Sequence, residues 1–144
     1  GFQFLDKLLE GVYTGVEKGI MTSEILGCIF PHNGRAKPLT VEAGILGIAD
    51  ALDMAEGRAR IPFEAGKIDI HSISAMSITN VEINEGGEDE KPVQIRIQMK
   101  NDSGIFQVDE LLKKKVEYSG LEKYFRIVAE IEEEKKDVIK KFEL

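Results

Sequence analysis

From Val93 to Lys100 the residue types alternate without a break. Val93, Ile95, Ile97 and Met99 are apolar, whereas Gln94, Arg96, Gln98 and Lys100 are polar. A strand turns successive side chains to opposite faces, so this pattern requires a sheet with one dry face and one wet face. Such a sheet needs strand neighbours and a covering layer, and the flanking sequence offers both. Ile78 to Asn84 is rich in β-branched residues and reads as a strand, with His71 to Met76 before it open to a helical turn. The polar, glycine-rich segment 85–91 reads as the hairpin tip between the two strands. Val108, Leu111, Leu112 and Val116 predict a helix from about Ile105 to Tyr118, ending at Gly120, and Tyr124 to Ile131 reads as a third strand. The tail EEEKKDVIKKFEL is expected as a short terminal helix supported by Glu–Lys pairs, or as a frayed end. Residues 67–144 are therefore expected to form a β-β-α-β lobe with an antiparallel sheet. Its helix would cover one face, leaving the other solvated or used in a homodimer.

The preceding sequence follows helical spacing instead. Phe4, Leu5, Leu8, Leu9, Val12, Tyr13 and Val16 predict an amphipathic helix over 2–18, weakened by Gly11 and Gly15 and stopped at Gly19. Ser23 is placed to cap a second helix, which Pro31 ends, and 31–38 reads as a loop. Thr40 is placed to cap a third helix, with Glu42 in its first turn and Gly57 at or beyond its end. The chain is thus expected to be α+β, with an all-helical lobe at 1–66 and the sheet lobe at 67–144.

The third helix is the most informative segment. Val41, Ala43, Ile45, Leu46, Ile48, Ala49, Leu52 and Met54 cover nearly its whole circumference, which predicts burial. Asp50 lies among them, and an ionised carboxylate in such a place needs a charge partner, a hydrogen-bond donor or a metal. Candidate companions are Glu24, His32 in the loop before the helix, Asp53 and His71. Hard oxygen ligands and imidazoles converging from separate elements would suit a divalent ion. The competing readings are a helix cap or arginine partner for Asp50, solvent or Arg58 for Asp53, and ordinary exposed loop histidines. Arg58 and Arg60 have the paired donors that match phosphate oxygens, and equally the means to bridge Glu56, Glu64 or Asp53.

Charge and composition exclude several classes. A net charge of −7 argues against a nucleic-acid polymer as partner. One cysteine, Cys28, excludes an internal disulfide, and its apolar neighbours Ile25, Leu26 and Ile29 read it as a small buried residue. No segment reads as a signal peptide or membrane span, so a cytoplasmic location is expected. Phosphate-cradling glycine motifs and a serine nucleophile elbow are absent.

The stretch GILGIADALDM followed by EGRARIPFEAG resembles the C-terminal part of HD-superfamily metal-dependent phosphohydrolases. The resemblance covers roughly residues 1–66 and is sharpest over 44–63. In that superfamily a late aspartate in an apolar helix holds a divalent metal together with an earlier histidine and a His-Asp pair. It implies that Asp50 is a metal ligand, that His32 is a further one, and that Arg58 and Arg60 orient the phosphate of a nucleotide or other phosphate ester. The His-Asp pair itself does not occur, since His32 precedes Asn33 and His71 precedes Ser72. Two expectations follow: a fragment whose upstream helices supply the missing ligands, or a degenerate, non-catalytic module for ligand sensing or dimerisation.

Overall fold

The computed structural model describes residues 2–34, 36–54, 70–87, 90–132 and 140–143. Chain order gives α1 (Phe2–Leu8), α2 (Gly15–Ile29), α3 (Val41–Leu52), α4 (Ile70–Ser77), β1 (Ile78–Glu85) and β2 (Val93–Met99). A helix over 105–119, α5, follows, and then β3 (Phe125–Ile131) and β4 (Lys140–Glu143). The chain is of mixed helix and strand, as its two periodicities require.

The described strands lie in the order β1-β2-β3-β4. β1 pairs antiparallel with β2, β2 pairs parallel with β3, and β3 pairs antiparallel with β4. The sheet is therefore mixed, which corrects the antiparallel expectation. Alternation within a strand is identical in both kinds of ladder. What distinguishes them is the connection, because parallel neighbours need a crossover of about a dozen residues or more. Here α5 supplies that crossover between β2 and β3. The tail is corrected as well: Lys140–Glu143 is a strand closing the far edge of β3, not a helix. Helical Glu–Lys pairs contribute only about 0.2–0.5 kcal/mol each. A β3 left as an edge would present a row of unpaired backbone groups that a strand satisfies.

Ile95, Ile97, Met99 and Ile78 are completely buried between the sheet and α5, against Val108 and Leu112. α5 begins as an α-helical turn, Ile105–Gln107, widens into a π-helical stretch, Val108–Lys113, and ends α-helical at Lys114–Ser119. Gly120, with φ 70°, closes it. On the opposite sheet face Val128 and Glu130 are buried and Gln94, Arg96 and Gln98 half-buried. There the Glu130 carboxylate lies 3.5 Å from the Arg96 guanidinium.

The first helices begin and end differently from the spacing-based expectation. α1 stops at Leu8, and the chain passes through positive φ at Gly11 (77°) and Gly15 (51°) before α2 runs on through Gly19 to Ile29. Left-handed geometry is nearly free only for glycine, so Gly11 and Gly15 locate the break, while Gly19 remains helical. Thr40 caps α3 as expected, its Oγ1 accepting from the Ala43 amide at 3.2 Å.

α3 is the helix that joins the two stretches of sequence. Its Ile48 and Ala51, with Met54 just beyond, share one apolar cluster with the sheet and α5. Small residues make that approach close. A Cβ at Gly44 would lie 3.1 Å from the Ser119 Cβ and 3.2 Å from Leu121 Cδ1.

Candidate functional site

α3 is not buried all round. Ala43, Gly44, Gly47, Ile48 and Ala51 face inward, whereas Val41, Ile45, Leu46, Ala49 and Asp50 face outward. The expectation of a buried Asp50 is thereby corrected, since its side chain keeps 41% of its surface exposed. Periodicity shows which residues share a face, not whether anything covers that face. The result is an aspartate on an apolar helix surface, with Glu42 and Leu46 preceding it at four-residue steps.

Among the described residues, the cation paired with Asp50 is Lys115 of α5. The Lys115 ammonium lies 3.9 Å from the Asp50 carboxylate, and the lysine side chain is only 16% exposed. The lysine stem passes beside Gly47. A Cβ built there would meet the Lys115 stem at 4.0 Å, so the lysine lies along α3 before its charged end emerges at Asp50. This partner is a lysine 65 positions later in the sequence, while the anticipated arginines, Arg58 and Arg60, lie outside the described residues. No sequence motif links the two; only the close α3–α5 packing does.

His32 is half-buried in the turn that follows α2, and its Nδ1 donates to the Ile29 carbonyl. A carbonyl only accepts, so Nδ1 carries the proton, and in the neutral ring the Nε2 lone pair is left for another partner. No hydrogen bond or ion pair joins His32 to Asp50. Asp53 is the residue after α3 and is exposed, Glu24 is exposed on α2, and Cys28 is half-buried. Arg58 and Arg60 lie outside the described residues, as does the side chain of His71. Among the described residues no group of three or more His, Cys, Asp or Glu side chains could hold a metal ion. Asp50 and His32 therefore do not by themselves fit the ligand set of a divalent ion.

Sequence reasoning missed a second polar assembly. Between α4 and the start of α5 lies an open cleft of about 370 Å³, lined by Ile73, Ser74, Asp102, Phe106, Asp109 and Glu110 among others. Beside it the buried Gln107 donates from Nε2 to Ser74 Oγ at 2.8 Å, and Ser77 Oγ donates to the Ser74 carbonyl at 2.8 Å. The serine-rich SISAMS segment was the available signal. The π-helical stretch that sets the Asp109 and Glu110 positions leaves no mark in residue periodicity.

No family model matches the chain, and no solved structure matches it. It is similar to a protein of Methanocaldococcus jannaschii called uncharacterized protein MJ1020, with 43% identity over 131 residues. That match takes in 91% of this chain and 50% of the relative, so the chain spans about half the length of the curated relative it matches. Among the described residues no helix is long and apolar enough to cross a membrane.

Proposed function

We propose that this chain is one part of a metal-dependent phosphohydrolase of the HD superfamily, acting on a nucleotide or another phosphate ester. Asp50 is its contribution to a divalent metal centre and His32 a second candidate ligand, the remaining ligands coming from outside the described residues. The observation that carries this proposal is the outward side of α3, where Asp50, beside Leu46, shares the exposed surface with Val41, Glu42, Ile45 and Ala49. An apolar helix face is built to be covered, and a covering element would enclose Asp50 in surroundings where a carboxylate needs a cation. The Nδ1–H to carbonyl bond of His32 adds support, because it holds the ring in the form that presents Nε2 to a metal. A bound divalent ion would lower the pKa of a water ligand and polarise a phosphoryl oxygen. Arg58 and Arg60 are proposed to orient the substrate phosphate.

The Lys115–Asp50 pair favours a second proposal, a non-catalytic module serving ligand sensing or dimerisation. Here the carboxylate already has a cation and needs no metal. The two proposals separate in one assay on the full-length protein. Phosphate release from nucleotides and simple phosphate esters is measured with and without added Mg²⁺ or Mn²⁺. Metal-dependent release that disappears in Asp50→Asn supports the enzyme. Release that persists in that variant overturns Asp50 as a metal ligand, whereas a full-length protein with neither metal nor turnover supports the non-catalytic module.

A further inference from the structure

Each of the three N-terminal helices carries large apolar side chains that stay exposed among the described residues. Phe2 and Leu8 of α1, Val16 and Ile20 of α2, and Val41 and Ile45 of α3 each leave half or more of their area exposed. The sheet behaves oppositely, with Ile95, Ile97 and Met99 completely inaccessible.

α2 is the extreme case. Of its 15 residues only Thr22 is buried, yet a helix of about 15 residues is marginal in water without a packed face. Gly19 and Gly27 weaken it further, by about 1 kcal/mol each relative to alanine. A Cβ at either position would meet nothing within 4 Å. Among the described residues those glycines serve no close contact.

α1 and α2 also enclose a cleft of about 400 Å³, lined by Phe2, Leu26 and the small residues Gly15, Gly19 and Ser23. The Lys18–Asp6 ion pair, at 2.7 Å, ties the two helices together within its lining. Residues four apart lie on one helix face, so the small residues form a low track between bulky neighbours, a shape that accepts the ridge of another helix.

We propose that this surface is the seat of a helical segment from the further half of the full-length protein, the half that the Methanocaldococcus relative carries beyond its match. Length supplies the occupant, because the match spans only 50% of that relative. Charge argues against a second copy of this chain. The charges free on α2 are Glu17 and Glu24, its one lysine being engaged by Asp6. A two-fold contact along α2 would bring acid to acid, whereas a different segment is able to set lysine or arginine opposite them. The occupant is therefore an amphipathic helix with an apolar stripe and a basic margin. This inference stands independently of phosphohydrolase activity, since it concerns how the helices are covered and not what the covered site does.

The test uses the full-length Methanocaldococcus protein. A cysteine replaces the residue aligned with Ile20 in one variant and the residue aligned with exposed Thr79 in a control. Both are labelled with a charged maleimide under native conditions, over a range of protein concentrations. At least tenfold slower labelling at the Ile20 position, independent of concentration, is the expected result. Equal labelling at the two positions overturns the proposal. Protection that disappears on dilution to the monomer also overturns it, by making a second copy the cover. Because labelling reads neither metal nor turnover, its outcome is separate from that of the phosphatase assay.

Discussion

The Lys115 ammonium reaches across the α3–α5 contact to within 3.9 Å of the Asp50 carboxylate, its stem passing over Gly47. Partly exposed ion pairs contribute about 0–1 kcal/mol, because water screens the charges and two flexible side chains must be held. Lys115→Met keeps the packed stem and removes the charge. Urea unfolding of this variant is expected to show a stability change below about 1 kcal/mol. In the full-length protein the same variant is expected to bind a divalent ion more tightly, measured by titration calorimetry, because the competing cation is gone. Unchanged metal binding would mean that Asp50 is not a ligand.

The buried Gln107–Ser74 hydrogen bond predicts a larger effect. Gln107→Ala leaves a cavity beside α4 and removes a donor from a buried hydroxyl. The cost of leaving a buried polar group less satisfied is about 1–3 kcal/mol. Chemical denaturation is expected to show a loss in that range, with far-ultraviolet circular dichroism unchanged.

Two glycines predict opposite signs for the same substitution. At Gly104 a Cβ would stand 2.6 Å from Ser77 Oγ and 3.0 Å from Met99 Sδ. Gly104→Ala is therefore expected to lower stability by about 1–3 kcal/mol through overpacking. At Gly19, with open space around a helical backbone, Gly19→Ala is expected to stabilise this chain by about 0.5–1 kcal/mol. The two melting temperatures, measured side by side, check both signs.

The core itself predicts that Ile97→Ala costs about 2–5 kcal/mol, since the side chain is wholly buried between sheet and α5. An equilibrium unfolding curve with loss outside that range would place Ile97 elsewhere than the centre of the core.

The dry face of 93–99 and the helix at 105–119 were legible because both rest on local periodicity, whereas the expected wet face is half-buried at Gln94, Arg96 and Gln98. The parallel β2–β3 pairing was not, because alternation reads the same in either ladder. The long helical connection from Met99 to Phe125 was the overlooked clue. A second one was the apolar run Ile127-Val128-Ala129, which marks a strand buried on both faces rather than an edge. At the candidate site, Asp50 stood out in sequence because it interrupts an apolar helix. Its exposure was hidden because inward and outward faces of α3 are both apolar. Lys115 was invisible for a different reason: it reaches Asp50 only because α3 packs closely against the end of α5, at Gly44, in three dimensions.

The central claim concerns the Asp50 carboxylate, and metal analysis of the full-length protein addresses it most directly. Elemental mass spectrometry of wild type and Asp50→Asn, each purified without chelator and verified as folded, compares bound divalent ion per chain. A stoichiometric ion in the wild type that is lost from Asp50→Asn is the result expected of a metal ligand on α3. Equal metal content in the two proteins, or none in either, would contradict it.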